Sequence, residues 1–178
     1  MEKFELHTIW EGCKAQDRKA QALLYTHFSK KMYAVCLRYT RTTSEAEDIL
    51  QNSFIKIFTK THLYTGDGSL EGWIKRIIVH TAIENYRAQK IKFTEDIASY
   101  EQVDLRSDIG LDQTSYKELL ALIHQMPLGY RTIFNMYVIE GYSHKEIAEI
   151  LTISEGNSKS QLARAKAWLQ KKLTYQTA

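Results

Sequence analysis

The chain has 178 residues, a formal net charge of +3, one proline and eight glycines. The low numbers of proline and glycine argue against a β-sandwich or barrel. Apolar residues recur at helical spacing and no stretch alternates convincingly as a strand does, so the pattern predicts an all-α protein. Because the net charge is small, a basic binding surface would have to come from local clusters of lysine and arginine.

The N-terminal stretch MEKFELHTIWEGCKAQDRKA contains no apolar run long enough for a signal peptide or a membrane helix. A cytoplasmic chain with no membrane insertion of its own is therefore predicted. Cys13 and Cys36 form no C-x-x-C pair, and the six histidines include no H-E-x-x-H spacing, so no metal site and no redox motif is expected. We interpret both cysteines as small apolar residues or inert thiols in a reducing compartment.

The first strong helical periodicity runs from Asp17 to about Tyr39. A second helix, Glu45–Lys60, follows Ser44 and Glu47, which have the spacing of a capping box. Its apolar face holds Ala46, Ile49, Leu50, Ile57 and Phe58. A second surface, mixed apolar and acidic, holds Asp48, Gln51, Asn52 and Ile55, with Phe54 beside them. Such a surface suggests a protein partner, although Phe54 and Ile55 are equally compatible with an ordinary core.

A glycine-containing loop, Thr61–Ser69, carries Tyr64 as a predicted exposed aromatic residue and leads into a basic helix, Leu70–Gln89. The helix combines cations with planar and hydrogen-bonding side chains, which are Trp73, Lys75, Arg76, His80, Asn85, Tyr86 and Arg87. Phosphate-attracting charge beside planar groups suits the binding of unstacked bases. The alternative is that Trp73 belongs to the core and that the charges form a solvated face.

The composition changes between Phe93 and Leu111, where acidic residues accumulate and the apolar periodicity lapses. We predict a flexible acidic linker at 93–112 between two small helical domains, 1–92 and 113–178. After the linker, helices are predicted at Ser115–Met126 and Pro127–Glu140. The second of these is expected to pack Ile133, Phe134, Tyr137 and Val138. Gly141 follows it as a left-handed cap.

The stretch Tyr142–Leu173 predicts two helices joined by a turn at Thr152 and Ile153. Ser143 and Glu146 form a capping box for the first helix, and Ser154 caps the second. The apolar stripe of the second helix is Ser158, Leu162, Ala165, Leu169 and Leu173. Lys159, Gln161, Arg164 and Lys166 lie off that stripe, and the small residues Gly156, Ser158, Ser160 and Ala163 keep the helix surface low. This is the helix-turn-helix plan, although a basic helical hairpin is often only a solvated surface.

Three stretches of this sequence resemble one family, and they are AEDILQNSFIKIF, GDGSLEGWIKRIIVHTAIENYR and MPLGYRTIFNMYVIEGYSHKEIAEILTISEGNSKSQLARAK. In their order and separation, with an acidic segment between them, they resemble the group-four, extracytoplasmic-function sigma factors of the sigma-70 family. The resemblance covers nearly the whole chain. It implies a protein that binds the clamp and flap of core RNA polymerase and directs it to promoter DNA. It also implies an anti-sigma factor, which is often membrane-bound in this family.

The resemblance further implies a role for each surface. Core polymerase would bind through Asp48, Gln51, Asn52, Phe54 and Ile55. The minus-ten element would be melted and captured by Tyr64, Trp73, Lys75, Arg76, His80, Asn85 and Arg87. The minus-thirty-five element would be read by Lys159, Ser160, Ala163, Arg164 and Lys166.

Two other classes of function are compatible with parts of the sequence. A conventional helix-turn-helix regulator would use its first ninety or so residues to sense or dimerise, and it would bind an operator without core polymerase. An enzyme is disfavoured because no nucleophile and base pair, metal constellation or phosphate-binding loop is present, and no cofactor is predicted.

Overall fold

Helices account for most of what the computed structural model describes, which is residues 3–92 and 121–176. The helices are α1 (Lys3–Lys14), α2 (Arg18–Leu37), α3 (Thr43–Thr59), α4 (Leu70–Lys92), α5 (residues 121–125), α6 (Leu128–Phe134), α7 (His144–Leu151) and α8 (Glu155–Gln176). No β-strand occurs within these ranges, so the all-α prediction is confirmed. The predicted linker at 93–112 lies outside the described residues, as do the two predicted domain boundaries.

The N-terminal helix α1 was not predicted, although it contributes to the core. Trp10 is 5% exposed and Cys13 is fully buried where α1 packs on α2. The two helices approach closely at Gly12, because a Cβ there would lie 2.6 Å from the Cβ of Ala20. The buried thiols match their interpretation, and burial raises the pKa of Cys13 to about 11 and that of Cys36 to about 12. Neither is therefore a thiolate at neutral pH.

Helices α2, α3 and α4 pack on one another around a common apolar core. Its fully buried members include Leu24, Met32, Ala46, Ile57, Ile74 and Ile78. The predicted cap of α3 is wrong by two residues. Thr42 is the N-cap and accepts a hydrogen bond from the Glu45 amide, while a carboxylate oxygen of Glu45 accepts one from the Arg41 amide at 2.8 Å. Both pairs fit the spacing of a capping box, and the pair two residues earlier starts the helix.

The helix predicted over Pro127–Glu140 changes type halfway. Pro127 precedes the helix as its N-cap, and after α6 the segment Asn135–Ile139 is a π-helix. A π turn holds one more residue than an α turn, so it rotates the residues after it onto a different face. Tyr137 and Val138 are therefore 38% and 49% exposed instead of packed, while Asn135 and Met136 are fully buried. The prediction of a packed Tyr137 and Val138 was wrong for this reason.

The helix-turn-helix was predicted closely. Ser143 and Glu146 form the capping box of α7, Gly141 adopts a φ of +79°, and the Ser154 hydroxyl accepts a hydrogen bond from the Asn157 amide at 3.1 Å. The apolar stripe of α8 is buried as far as Leu169. It ends there, because Leu173 is 46% exposed.

Candidate nucleic-acid and protein interfaces

One face of α8 is exposed and basic. The predicted minus-thirty-five residues Lys159, Ser160, Ala163, Arg164 and Lys166 are all exposed. Ser158, Leu162 and Ala165 are buried on the opposite side, so the packing of α8 fixes which face meets solvent. Gln161, also predicted to lie off the stripe, is half-buried, and its Oε1 has no hydrogen-bond partner in the described part of the chain. A rigid helix with exposed cations and small residues has the geometry that enters a major groove.

A contact between α7 and α8 was missed at the level of sequence. The His144 Nδ1 lies 2.9 Å from the Oγ of Ser158, and the rings of Tyr137 and His144 stack with centroids 4.5 Å apart. Tyr137 of the π-helix therefore packs against His144, and His144 in turn contacts Ser158 near the start of α8.

Hydrogen bonds from the backbone and side chain of Ser143 lower the pKa of Glu146, so the carboxylate of the capping box at the start of α7 keeps its charge.

Four of the five residues of α3 that are predicted to bind polymerase are exposed. Asp48, Gln51 and Asn52 are exposed, and Ile55 is 60% exposed. Phe54 is only 3% exposed, so its assignment as a surface contact was wrong and the alternative of an ordinary core holds for it. Its ring meets Tyr25 of α2 edge to face at 4.8 Å. Phe54 therefore packs beneath the exposed residues of α3 and does not itself face solvent. Sequence reasoning missed Tyr25, which is 38% exposed beside it.

The loop after α3 is held by an aromatic cluster of Trp10, Tyr64 and Trp73. The three ring centroids lie 5.5 to 5.6 Å apart, and the Tyr64 hydroxyl donates a hydrogen bond to the Gly68 carbonyl at 3.0 Å. Tyr64 is half-buried, so the prediction of an exposed aromatic side chain was wrong. The cause is α1, which brings Trp10 over the loop.

The predicted minus-ten residues do not all converge. His80 does not belong to the aromatic cluster, and its Nε2 lies 3.2 Å from the hydroxyl of Tyr142 in the C-terminal half. Partial burial and the neighbouring Arg76 lower the pKa of His80, so its imidazole is neutral at physiological pH. The structure therefore does not bring His80 together with Tyr64 and Trp73.

Other polar residues of α4 also meet the C-terminal half. Lys75 forms an ion pair of 2.7 Å with Glu140, and Arg87 donates a hydrogen bond of 3.2 Å to the Thr152 hydroxyl. Arg76 is exposed and Asn85 is half-buried. The cations of α4 thus lie on one helix as predicted, but Lys75 and Arg87 already have partners.

Within residues 3–92 and 121–176, no cluster of histidine, cysteine and acidic residues could hold a metal ion. None of the helices described there is both long and apolar enough to cross a membrane.

Comparison with known proteins points to one family. The model of Sigma-70 region 2 matches residues 24–91, and the model of Sigma-70 region 4 matches residues 116–169. The ECF RNA polymerase sigma-E factor of Haemophilus influenzae is 27% identical over 175 residues, which are 92% of this chain and 92% of that protein. The ECF RNA polymerase sigma factor SigW of Bacillus subtilis is 28% identical over 172 residues, covering 90% and 92%. CnrH, solved in complex with the cytosolic domain of CnrY, aligns with a TM-score of 0.50 at 16% identity and covers 94% of this chain and 96% of CnrH.

Proposed function

The chain belongs to the extracytoplasmic-function group of the sigma-70 family, and we propose that its two helical regions divide promoter recognition between them. It is a transcription initiation factor that acts with core RNA polymerase in promoter-specific initiation, and it is not an enzyme. The proposed division is a polymerase-binding and minus-ten domain at 1–92, a linker at 93–112 and a minus-thirty-five domain at 113–178.

The minus-thirty-five assignment rests on the exposed basic face of α8. Arg164 and Lys166 have no ion-pair partner among the described side chains, so a phosphate or a base edge can take their hydrogen bonds without displacing a protein group. Ala163 and Ser160 between them keep the helix surface low enough for close approach to base edges. Arg164 is the residue we assign to a guanine, because its guanidinium can donate two parallel hydrogen bonds.

The polymerase assignment rests on the surface of α3. Asp48, Gln51, Asn52 and Ile55 are exposed on a helix whose opposite side is buried, and the apolar Ile55 lies among polar neighbours. A surface with an apolar centre and a polar rim is typical of a protein interface. Tyr25 extends it onto α2, and amphipathic tyrosine side chains are enriched at such interfaces.

The minus-ten assignment rests on α4 and on the loop before it. Arg76, with Lys75, His80, Asn85 and Arg87, supplies charge and hydrogen-bonding groups along one helix. Tyr64 and Trp73 act mainly by holding the loop at 65–69 through the aromatic cluster. The exposed loop, which the aromatic cluster holds in place, is then the part that receives an extruded base.

We also propose that an anti-sigma factor regulates this chain, since CnrH was solved in complex with a cytosolic domain of CnrY. The site of action is the cytoplasm, because promoter-specific initiation with core RNA polymerase takes place where the chromosome is.

The decisive experiment compares the chain alone with the chain plus core polymerase. Run-off transcription from genomic fragments should depend on both components, and the chain alone should bind duplex DNA weakly and without sequence preference. Specific duplex binding that does not change when core polymerase is added would identify a conventional regulator instead.

The docking surface is tested by Asp48→Arg. A reversed charge at an interface repels the partner, while an exposed position leaves the fold intact, so we expect core polymerase affinity to fall about tenfold or more, or about 1.4 kcal/mol. The control is Glu149→Arg, an exposed acidic residue of α7 that lies on a different helix from the proposed surface. Equal affinity of the two variants, with unchanged circular dichroism, would remove Asp48 from the interface.

A further inference from the structure

One corner of the N-terminal half carries three exposed cations. Arg18 and Lys19 begin α2, and Lys60 follows the last residue of α3. None of these three side chains forms an ion pair within residues 3–92 and 121–176. They can therefore bind an anion without giving up a contact inside the described part of the protein.

The two sides of this corner are joined by Gln16. Its Nε2 donates a hydrogen bond of 3.2 Å to the Phe58 carbonyl, and its Oε1 accepts one of 3.4 Å from Gln21. Arg18 and Lys60 each lie two residues from this bonded pair, so the Cα of each is within about 8 Å of the Cα of a bonded residue. The turn between α1 and α2 and the end of α3 therefore place their cations next to each other.

The position of Arg18 and Lys19 is unfavourable for α2 itself. The N-terminus of a helix carries partial positive charge, so acidic residues are favoured in its first turn and cations are disfavoured. The first turn of α2 has no acidic residue, and the N-cap carboxylate of Asp17 accepts a hydrogen bond from the Lys19 amide. Proteins give up local stability in this way mainly where a surface is used for function.

Beside Lys60, the 3₁₀ turn Thr61–Leu63 holds an apolar side chain in solvent. Leu63 is 56% exposed, whereas Thr61 is buried and Tyr64 belongs to the aromatic cluster. The Leu63 amide donates a hydrogen bond of 2.9 Å to the Lys60 carbonyl, and residues three apart in a 3₁₀ turn lie one above the other. Leu63 and Lys60 are therefore neighbours on a turn that is anchored on both sides of Leu63.

This surface continues directly into the loop at 65–69, where we place the extruded base. Because the minus-thirty-five element is read as duplex, the separated strands continue from the extruded base on the opposite, downstream side. A single strand offers a phosphate at each nucleotide and base faces that are no longer covered by a duplex stack. The free cations match the phosphates. Leu63 matches a base face, since leucine is one of the apolar side chains that proteins insert between unstacked bases.

We propose that this corner binds the single strand of promoter DNA that continues downstream from the extruded base, through Arg18, Lys19, Lys60 and Leu63. We call these four residues the strand track. The cations bind phosphates, and Leu63 packs against the first base beyond the extruded one. The strand track rests on the proposed function, because it extends the minus-ten site at the loop. A protein partner fits less well, since interface centres are apolar and depleted of charge, and here one leucine lies among cations.

The test measures how the full-length chain with core polymerase binds two fork-junction probes. In the short probe the single strand ends at the extruded base, and in the long probe it continues for about ten further nucleotides, within the site size of single-strand binding proteins. For single strands, each phosphate contact contributes about 0.7 to the slope of log affinity against log salt concentration. The triple variant Arg18→Ala, Lys19→Ala and Lys60→Ala should therefore lower that slope by about 2 on the long probe and leave it unchanged on the short probe.

The apolar contact has its own variant, Leu63→Ser. It should weaken binding of the long probe about fivefold, the lower end of the effect of losing one stacked base, without changing the salt slope. The matched control for the cations is Lys30→Ala, an exposed cation further along α2, which should keep the wild-type slope on both probes. Unchanged binding of the long probe by Leu63→Ser would remove Leu63 from the strand track.

An unchanged slope of the triple variant on the long probe would overturn the proposal. An equal reduction on both probes would overturn it as well, because the cations would then bind phosphates of the duplex or of the minus-ten element. A loss of affinity for core polymerase itself would identify a protein interface instead. If the triple variant fails to fold, Lys60→Ala alone should still lower the slope on the long probe by about 0.7.

Failure of the proposed function would give a different result. The wild-type complex would then bind promoter forks and unrelated forks equally well, while the difference in slope between the long and short probes would still report on the strand track.

Discussion

The basic faces of α8 and α4 have similar residues but differ in what those residues already contact. On α8, Arg164 and Lys166 are exposed without an ion-pair partner in the described structure, and Lys159 meets only Glu155, at 3.5 Å between two exposed side chains. Such an exposed pair contributes little. On α4, Lys75 pairs with a carboxylate that is only 7% exposed. The cations of α8 can bind an anion directly, whereas the α4 surface is partly occupied by contacts within the protein.

This difference has an energetic consequence. DNA that binds α8 displaces only water and counterions, so affinity there should depend directly on each cation. DNA that binds α4 must first break bonds to Glu140, Tyr142 and Thr152, so part of its binding free energy is spent in replacing them. The α8 surface is therefore available to DNA directly, whereas these three contacts of α4 have to be replaced first.

The largest expected effect comes from removing the buried guanidinium of Arg131. Arg131→Ala leaves the carbonyls of Thr40 and His124 without this donor and opens a cavity at a site that is 2% exposed. We expect the free energy of unfolding in urea to fall by about 3 kcal/mol. Lys171→Ala, at an exposed cation of α8, should change it by less than about 0.5 kcal/mol. Similar losses for both variants would show that Arg131 has no special role.

A second effect is a pH dependence from the neighbour of Arg131. Burial, with a smaller contribution from Arg131, lowers the pKa of His124 from its usual 6.5 to about 4. The native state therefore keeps His124 neutral while the unfolded chain binds a proton below about pH 6.5. Stability should be unaffected by this residue above pH 6.5 and should fall as the pH drops from there toward 4, by about 2 kcal/mol after allowance for partial exposure.

The control for this effect is His124→Gln, which keeps the peptide carbonyl that Arg131 uses. The variant should lose less stability than the wild type between pH 6.5 and 4, as measured by thermal unfolding across that range. Identical pH profiles for the two proteins would mean that His124 titrates normally in the folded chain.

The helix-turn-helix and the buried hydrogen bonds of Arg131 differ in how far they could be predicted from sequence. The capping box of Ser143 and Glu146 and the stripe of α8 depend on residues three or four apart, so local patterns were sufficient. The bond from Arg131 to Thr40 joins residues 91 positions apart, and no local pattern indicates it. The helical spacing of Leu6, Ile9, Trp10 and Cys13 was present in α1, and this short stripe was the signal that was missed.

The same distinction explains the errors at the candidate sites. Phe54 and Ile55 are adjacent on α3, and periodicity left both assignments open. The packed structure shows that Phe54 is buried, with its ring against Tyr25 and Phe58. Tyr64 has the sequence context of an exposed loop residue, yet Trp10 covers it from a helix more than fifty residues earlier. A π-helix has more residues per turn than the 3.6 on which the prediction was based, so Tyr137 could not be placed correctly from spacing alone.

The third effect tests whether the basic faces of α8 and α4 act at different steps of initiation. Arg164→Ala should weaken promoter binding by the polymerase complex by roughly 1–3 kcal/mol. If Arg164 reads a base, the loss should be confined to promoters that carry that base, whereas a phosphate contact would weaken all promoters alike. Arg76→Ala on α4 is the counterpart, and it should affect open-complex formation more than initial binding. Filter binding and permanganate footprinting separate the two steps, and unchanged transcription by Arg164→Ala would remove it from the interface.

The smallest effect concerns the residue that positions α8 without facing DNA. His144 joins Ser158 by a hydrogen bond of 2.9 Å and stacks on Tyr137, so His144→Ala should lower the free energy of unfolding by about 1 kcal/mol. If His144 acts by orienting α8, His144→Ala should lower promoter affinity when it is introduced into the wild-type chain. It should lower affinity less when it is introduced into a chain that already carries Arg164→Ala, because the two substitutions affect one interaction. His144→Asn, which can restore the bond to Ser158 without the stacking, should recover much of the affinity. His7→Ala, at an exposed histidine of α1, is the control. Full additivity with Arg164→Ala would show that His144 contributes to stability and not to the placement of the reading helix.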